Sequence, residues 1–221
     1  MNAAKQKARI IVANDAVREL ITIPTKETAS ITVAANAHYY VSILLIGSGV
    51  QTLNIVLSGE KASATIAALL LARDDEQTQL VVNITHQAAD TLSRLTVHSV
   101  ANNNSSIIVN GLASITEAGS GSDADIQFRS LLLSPTARVK VKPEFTLAVD
   151  DVACKHGAAT GPLDEAAITY CQTRGIDAPT ATRLILNGFA TLCYSAAPTD
   201  KLAAMTTHVN EWVKENYVHA T

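Results

Sequence analysis

The triplet Cys154-Lys155-His156 sets a thiol and an imidazole at alternate positions with an amine between them. Thiolate and imidazole are protein ligands suited to iron–sulfur species, and a neighbouring ammonium group lowers a thiol pKa. Two ligands do not close a tetrahedral site, so a metal group held here needs further ligands from elsewhere or from a second chain. The competing reading is structural, with Cys154 a small core side chain and His156 a polar turn residue. Cys171 and Cys193 fall within helical patterns and are read as core. His38, His86 and His98 lie in or beside strand patterns, with no carboxylate or cysteine at ligand spacing, and are read as strand-surface or core histidines. Asp150 and Asp151 are adjacent, which on a strand sends them to opposite faces, and are read as turn and helix-entry residues. No nucleophile-elbow pattern is present. Gly119-Ser120-Gly121-Ser122-Asp123 lacks the Lys-Ser/Thr ending and helix start of a phosphate cradle, and reads as a flexible turn.

The elements that must position the triplet change character around it. From about Arg9 to Val149, apolar and polar residues alternate with many β-branched side chains, as in Ile31–Val33, Tyr39–Ile46, Thr52–Leu57, Leu80–Thr85, Arg94–Val100, Ser106–Val109, Ile126–Leu132 and Ala137–Val141. The run Ala62–Leu71 is long enough for a helix, but Ser63, Thr65 and its neighbours favour a strand. No helices intervene, so βαβ crossovers are disfavoured and a sandwich, a barrel or a β-helix remains. Loose internal repetition and small residues favour the β-helix. Asn102-Asn103-Asn104 with Ser105-Ser106 reads as a polar loop, or as amide and hydroxyl stacks between coils.

After Asp150 the spacing becomes helical. Asp164 is placed to cap a first helix and Gly175 to end it. A second helix starts near Ala178-Pro179 with a stripe of Ala181, Leu184, Ile185, Phe189 and Leu192. A third starts near Thr199-Asp200, with Leu202, Met205, Val209, Trp212, Val213 and Tyr217 on one side. The expected division is a β-helix core over residues 1–150 and a helical domain over 151–221.

With 221 residues, the chain is long enough for one sizeable core and a small appendage. Only 4% of residues are aromatic against 48% hydrophobic, which suits thin stacked layers of aliphatic side chains. A net charge of -3 provides no general field for nucleic acid. No apolar run approaches the roughly 18–20 residues of a membrane span, and the start lacks a secretory pattern. Three cysteines without CxxC spacing fit reduced thiols, and the expected location is cytoplasmic.

Several motifs in succession carry a family resemblance. They are Leu131-Leu132-Leu133-Ser134, Pro143-Glu144, Asp150-Asp151-Val152-x-Cys154-x-His156-Gly157-Ala158, Gly161-x-Leu163-Asp164, Tyr170, Arg174-Gly175-Ile176, Ala181 and Gly188-Phe189. In this order they resemble the C-terminal part of the SufB/SufD family, scaffolds of the SUF iron–sulfur cluster assembly system, and the Cys-x-His-Gly form is closer to the SufD side. The resemblance implies a mainly β chain, a right-handed parallel β-helix with a small C-terminal α-helical domain. It implies a non-enzymatic scaffold that forms a dimer through its β-helix with a SufB-like subunit or a second copy of itself. The C-terminal helices would dock a SufC-like ABC ATPase. By position, Cys154 and His156 become candidate residues for a transient iron–sulfur cluster shared across the pairing interface. Arg174, Gly175, Ile176, Leu184, Ile185, Gly188 and Phe189 become the candidate ATPase-docking face. No Walker motif is present, so no nucleotide is expected on this chain and ATP hydrolysis would belong to the partner. No nucleic-acid or membrane partner is expected.

Two rivals follow from the β-helix alone. One is a structural homo-oligomer without a cluster role. The other is a β-solenoid enzyme acting on carbohydrate, which would need carboxylates converging on one coil face and aromatic platforms for sugar rings.

Overall fold

The computed structural model describes residues 8–12, 16–22, 27–194 and 206–214. Among them, twelve strands precede the helices: β1 (Ala8–Val12), β2 (Ala16–Thr22), β3 (Glu27–Val33), β4 (His38–Ile46), β5 (Gly49–Leu57), β6 (Ser63–Ala72), β7 (Gln77–His86), β8 (Leu92–Ala101), β9 (Ser106–Ile115), β10 (Asp123–Leu132), β11 (Arg138–Leu147) and β12 (Ala153–Pro162). Helices α1 (Glu165–Thr173) and α2 (Ala178–Cys193) follow, and residues 206–214 are also helical.

Odd strands form one sheet in the order β1-β3-β5-β7-β9-β11, and even strands form the other, β12-β10-β8-β6-β4-β2. Every pairing is parallel, and each strand lies beside the strand one coil away. The chain therefore winds as a two-sided parallel β-solenoid, the β-helix expected from the strand pattern. His38, Ser63, Leu92, Asp123 and Ala153 mark one column through β4, β6, β8, β10 and β12. The reversals between strands need residues in the left-handed region, and Asn36, Lys61, Asp74, Asp90 and Asn103 have φ of 56°, 58°, 52°, 56° and 52° respectively. Four of the five are Asn or Asp, whose short polar side chains tolerate that conformation.

Alternation on each strand sends one set of side chains between the sheets. There Ile31, Ile55, Ile84 and Ala113 stack in one register, closed by Phe145 on the last coil. β6 loses the alternation because both of its faces are covered. Ala64, Ile66, Ala68 and Leu70 point into the solenoid, and Ala67, Leu69 and Leu71 into a second core beneath the helices. This double burial is why the Ala62–Leu71 run resembled a helix in sequence. The Asn102–Asn104 turn does form stacks between coils: Asn103 Nδ2 donates to Asp74 Oδ1 at 2.8 Å and Asn104 Nδ2 to Asp75 Oδ1 at 3.3 Å.

The second core lies on the outer face of the even sheet, where Leu44, Leu69, Leu71 and Val100 meet Leu186, Ala190, Cys193, Tyr194, Val209, Trp212 and Val213. The buried face of α2 is Ala181, Thr182, Leu186, Ala190 and Cys193. This corrects the expected stripe: Leu184 and Leu192 are 54% and 60% exposed. The small side chains let the helix approach the sheet closely, and the larger leucines fall on the far side. Both caps match the sequence, with Asp164 accepting from Ala166 and Ala167 N–H groups and Gly175 at φ +82°. Within the expected third helix, Val209, Trp212 and Val213 are buried, whereas Thr199, Asp200, Leu202, Met205 and Tyr217 lie outside the described residues. The turn at residues 148–152, where the sequence suggested a domain boundary, leads into β12, so the solenoid runs on to Pro162 before the helices begin. Asp150 and Asp151 thus enter a strand and not a helix.

Candidate functional site

Cys154 and His156 sit on β12 at alternate positions, and so share a face. Their register partners on β10 are Ala124 and Ile126, both fully buried between the sheets. The thiol and the imidazole therefore face the solenoid interior at its last coil. No further strand covers them among the described residues, because β11 and β12 are the edges of their sheets. Cys154 is half-buried against the main core and His156 is exposed, its ring 5.5 Å from that of Phe145 on β11. The two edge strands thus bring Phe145 and His156 together across the open end.

Lys155 points to the opposite, outer face, which corrects the expectation that it lowers the thiol pKa. Burial pushes the Cys154 thiol up, and the Asp123 carboxylate adds to the effect. Asp123 is gripped by Arg94, whose Nη1 and Nη2 donate to its two carboxylate oxygens at 2.9 and 2.7 Å. That hydrogen bonding is the first cause of a lowered Asp123 pKa, with the charges of Arg94 and Lys155 among the others. In this chain the Cys154 thiol is therefore a protonated group beside a fixed negative charge. Gly157 has a steric reason to be glycine, since a Cβ there would collide with Gln127 Oε1, and Gln127 is held by donation from Nε2 to Asp125 Oδ1 at 2.7 Å. Sequence reasoning missed Asp123, Arg94, Gln127 and Phe145, because only the coil register brings them beside the Cys-x-His segment.

Among the described residues, no group of three or more His, Cys, Asp and Glu is arranged to hold a metal ion. Cys154 and His156 are two ligand types of the right chemistry for an iron–sulfur cargo, short of a complete set.

The candidate docking residues divide. Arg174 closes α1 and lies 5.4 Å over the Tyr170 ring, Gly175 provides the turn, and the Ile176 N–H donates to Cys171 O at 3.1 Å. Leu184 and Gly188 face outward and Ile185 is half-buried. Phe189 turns inward and stacks on His98 with centroids 4.4 Å apart, while His98 Nδ1 donates to the Phe189 carbonyl at 2.8 Å. Tyr170, Leu184 and Leu192 remain exposed large apolar side chains on the helices. Of these, Leu184 borders a groove of about 290 Å³ that is also lined by Arg183, Asn187, Val213 and Lys214. No helix among the described residues is long and apolar enough to cross a membrane.

Residues 4–189 match the family model described as "SUF system FeS cluster assembly, SufBD core domain". Protein ABCI7, chloroplastic, of Arabidopsis thaliana is 38% identical over 90 residues, which are 41% of this chain and 19% of that protein. The iron–sulfur cluster assembly protein SufD of Escherichia coli (strain K12) is 28% identical over 134 residues, 61% of this chain and 32% of the relative. SufD of Bacillus subtilis (strain 168) is 28% identical over 133 residues, 60% and 30% of the two chains. The matched stretch is thus about a third or less of the length of these relatives.

Proposed function

Because the chain belongs to the SufBD core-domain family of the SUF system, we propose that it is a non-catalytic scaffold subunit in iron–sulfur cluster assembly, joined to its partner through the open end of the solenoid. The observation that carries this reading is the coincidence, on one coil, of two sheet edges left unpaired among the described residues with the Cys154 and His156 pair. Unpaired edges present rows of backbone donors and acceptors that favour pairing with another strand. Arg138, Lys140 and Lys142 alternate along β11 and discourage indiscriminate pairing. A SufB-like subunit is one occupant of this edge. A second copy is the other, since antiparallel pairing centred on Pro143 would set Lys142 opposite Glu144.

Cys154 and His156 supply two ligands to a nascent cluster carried as cargo, and the partner supplies the rest. The helical layer docks a SufC-like ABC ATPase through Arg174, Gly175, Ile176 and the outward part of α2 at Leu184, Ile185 and Gly188, and Phe189 contributes by holding α2 against His98. Nucleotide-driven movement of the docked ATPase then rearranges the paired scaffold at the cluster site. The setting is cytoplasmic, without nucleic-acid or membrane partners. Co-expression with the SufB-like and SufC-like proteins of its source, followed by purification on a tag carried by this chain, is expected to recover both. Recovery of neither overturns the scaffold reading, and recovery of the ATPase with a second copy of this chain selects the homodimer.

A further inference from the structure

We propose that His86 makes the seam between the last coils of the solenoid acid-sensitive, so that its protonation loosens the part of the fold that carries β10 and β12. His86 ends β7 and occupies an inner column whose other members are Val33, Leu57, Ile115 and Leu147. It is the imidazole in an otherwise aliphatic column, and it is fully buried. Its Nδ1 lies 2.8 Å from Thr91 Oγ1 and its Nε2 lies 2.9 Å from Ser93 Oγ. Thr91 Oγ1 also bonds Ser122 Oγ at 2.7 Å and donates to Ala88 O at 3.2 Å. Ser122 belongs to the next coil, immediately before β10, so the imidazole network spans the seam.

The backbone adds to the same seam. Thr116 donates to the His86 carbonyl from both its N–H, at 3.1 Å, and its Oγ1, at 2.9 Å, and the Asp90 N–H donates to Ser120 O at 3.0 Å. Gly119 packs so closely on Ile115 and His86 that a side chain there would force them apart. The 116–122 turn that leads into β10 therefore rests on His86 and on the turn beyond it.

The hydroxyls settle which tautomer fits. With Thr91 donating to Ala88 O, the Thr91 oxygen accepts from Nδ1–H and from Ser122, and Ser93 donates to Nε2. Every hydroxyl hydrogen then has an acceptor. A second ring proton on Nε2 removes the acceptor of Ser93, which makes no other side-chain hydrogen bond among the described residues, and it leaves a cation in an apolar interior. The charged groups around the network are Asp90 and Glu117, exposed in the two turns, Arg94 on β8 and Asp123 on β10. Asp123 favours the charged ring, but it is paired with Arg94, and burial outweighs it: the His86 pKa is lowered to about 4. An opened seam returns the ring to water and to an ordinary value of about 6.5. Between these values the open form binds more protons than the closed form. The seam is thus fully favoured above about pH 6.5 and is lost progressively as the pH falls towards 4.

Hydrogen exchange of the full chain, corrected for the intrinsic effect of pH, tests the device. Between pH 7 and 4.5 the amides of β10 and β12 are expected to lose protection by on the order of tenfold or more, while β4 and β5 keep theirs. His86→Gln, which stays neutral, is expected to flatten that dependence. Equal loss in the variant, or an equal loss across β4 and β5, overturns the proposal. Proton titration of the His86 ring by NMR in the wild-type chain serves where the variant fails to fold. A midpoint well below 6.5 supports the device, and a midpoint near 6.5 overturns it.

Discussion

At the scale of single residues, the chemistry of β12 depends on alternation. Cys154 and His156 share the interior face, while Lys155 belongs to the other face and acts on Asp123 instead. Under the proposed role, anaerobic reconstitution with iron and sulfide in the presence of a SufB-like partner is expected to load the wild-type complex. Cys154→Ala and His156→Ala are each expected to reduce loading severalfold, read as the visible absorbance per complex. Equal loading in all three would remove the site and leave the scaffold fold standing. The Cys-x-His spacing was legible in the sequence. Its electrostatics were not: Arg94 and Asp123 stand one coil apart on β8 and β10, and no local pattern announces that they form a bidentate pair beside Cys154.

At the scale of elements, α2 is fastened to the even sheet by a few contacts of different kinds. Tyr194 Oη donates to Ile43 O at 2.7 Å, Cys193 Sγ to Ala68 O at 3.1 Å, and Leu69 is fully buried beneath the helix. Burial pushes the Cys193 thiol up to about 12, which keeps it a donor at every ordinary pH. Leu69→Ala is expected to cost about 2–5 kcal/mol, because a methylene-rich side chain leaves a cavity between two layers that cannot close fully. Tyr194→Phe keeps the ring and loses one hydrogen bond, about 1 kcal/mol. Urea unfolding followed by circular dichroism reads both, and a Tyr194→Phe loss as large as that of Leu69→Ala would contradict this ranking. The start and end of α1 and the start of α2 were legible from Asp164, Gly175 and Pro179. The buried face of α2 was not, since apolar residues occupy both sides of that helix and only contact with the sheet selects Leu186 and Ala190 over Leu184 and Leu192.

At the scale of the whole molecule, each coil touches mainly its neighbours, so stability is distributed along one dimension. Among the described residues, the middle coils are covered on both sides and the last coil on one. Amides of β11 and β12 are therefore expected to exchange faster than those of β6 and β7 in the isolated chain. Binding of a partner at the open end is expected to slow exchange in β11 and β12 by tenfold or more and to leave β6 unchanged, in hydrogen-exchange mass spectrometry of the free and bound chain. Protection that appears only on the helices would move the pairing surface away from the sheet edges.

The sequence by itself determined the strand character of the chain up to Val149, the caps of α1, the lack of crossover helices between those strands, and the Cys-x-His segment within a set of family motifs. These are local signals, written in the spacing of neighbouring side chains. The tertiary structure alone decided which strands lie side by side, which face of α2 is buried, that β12 extends the solenoid, and that His86 replaces an aliphatic side chain at a seam between coils. Those features depend on pairings a full coil apart. Side-chain period is the same in every strand, so alternation marks the inward face of each strand but does not identify the neighbour against which it packs.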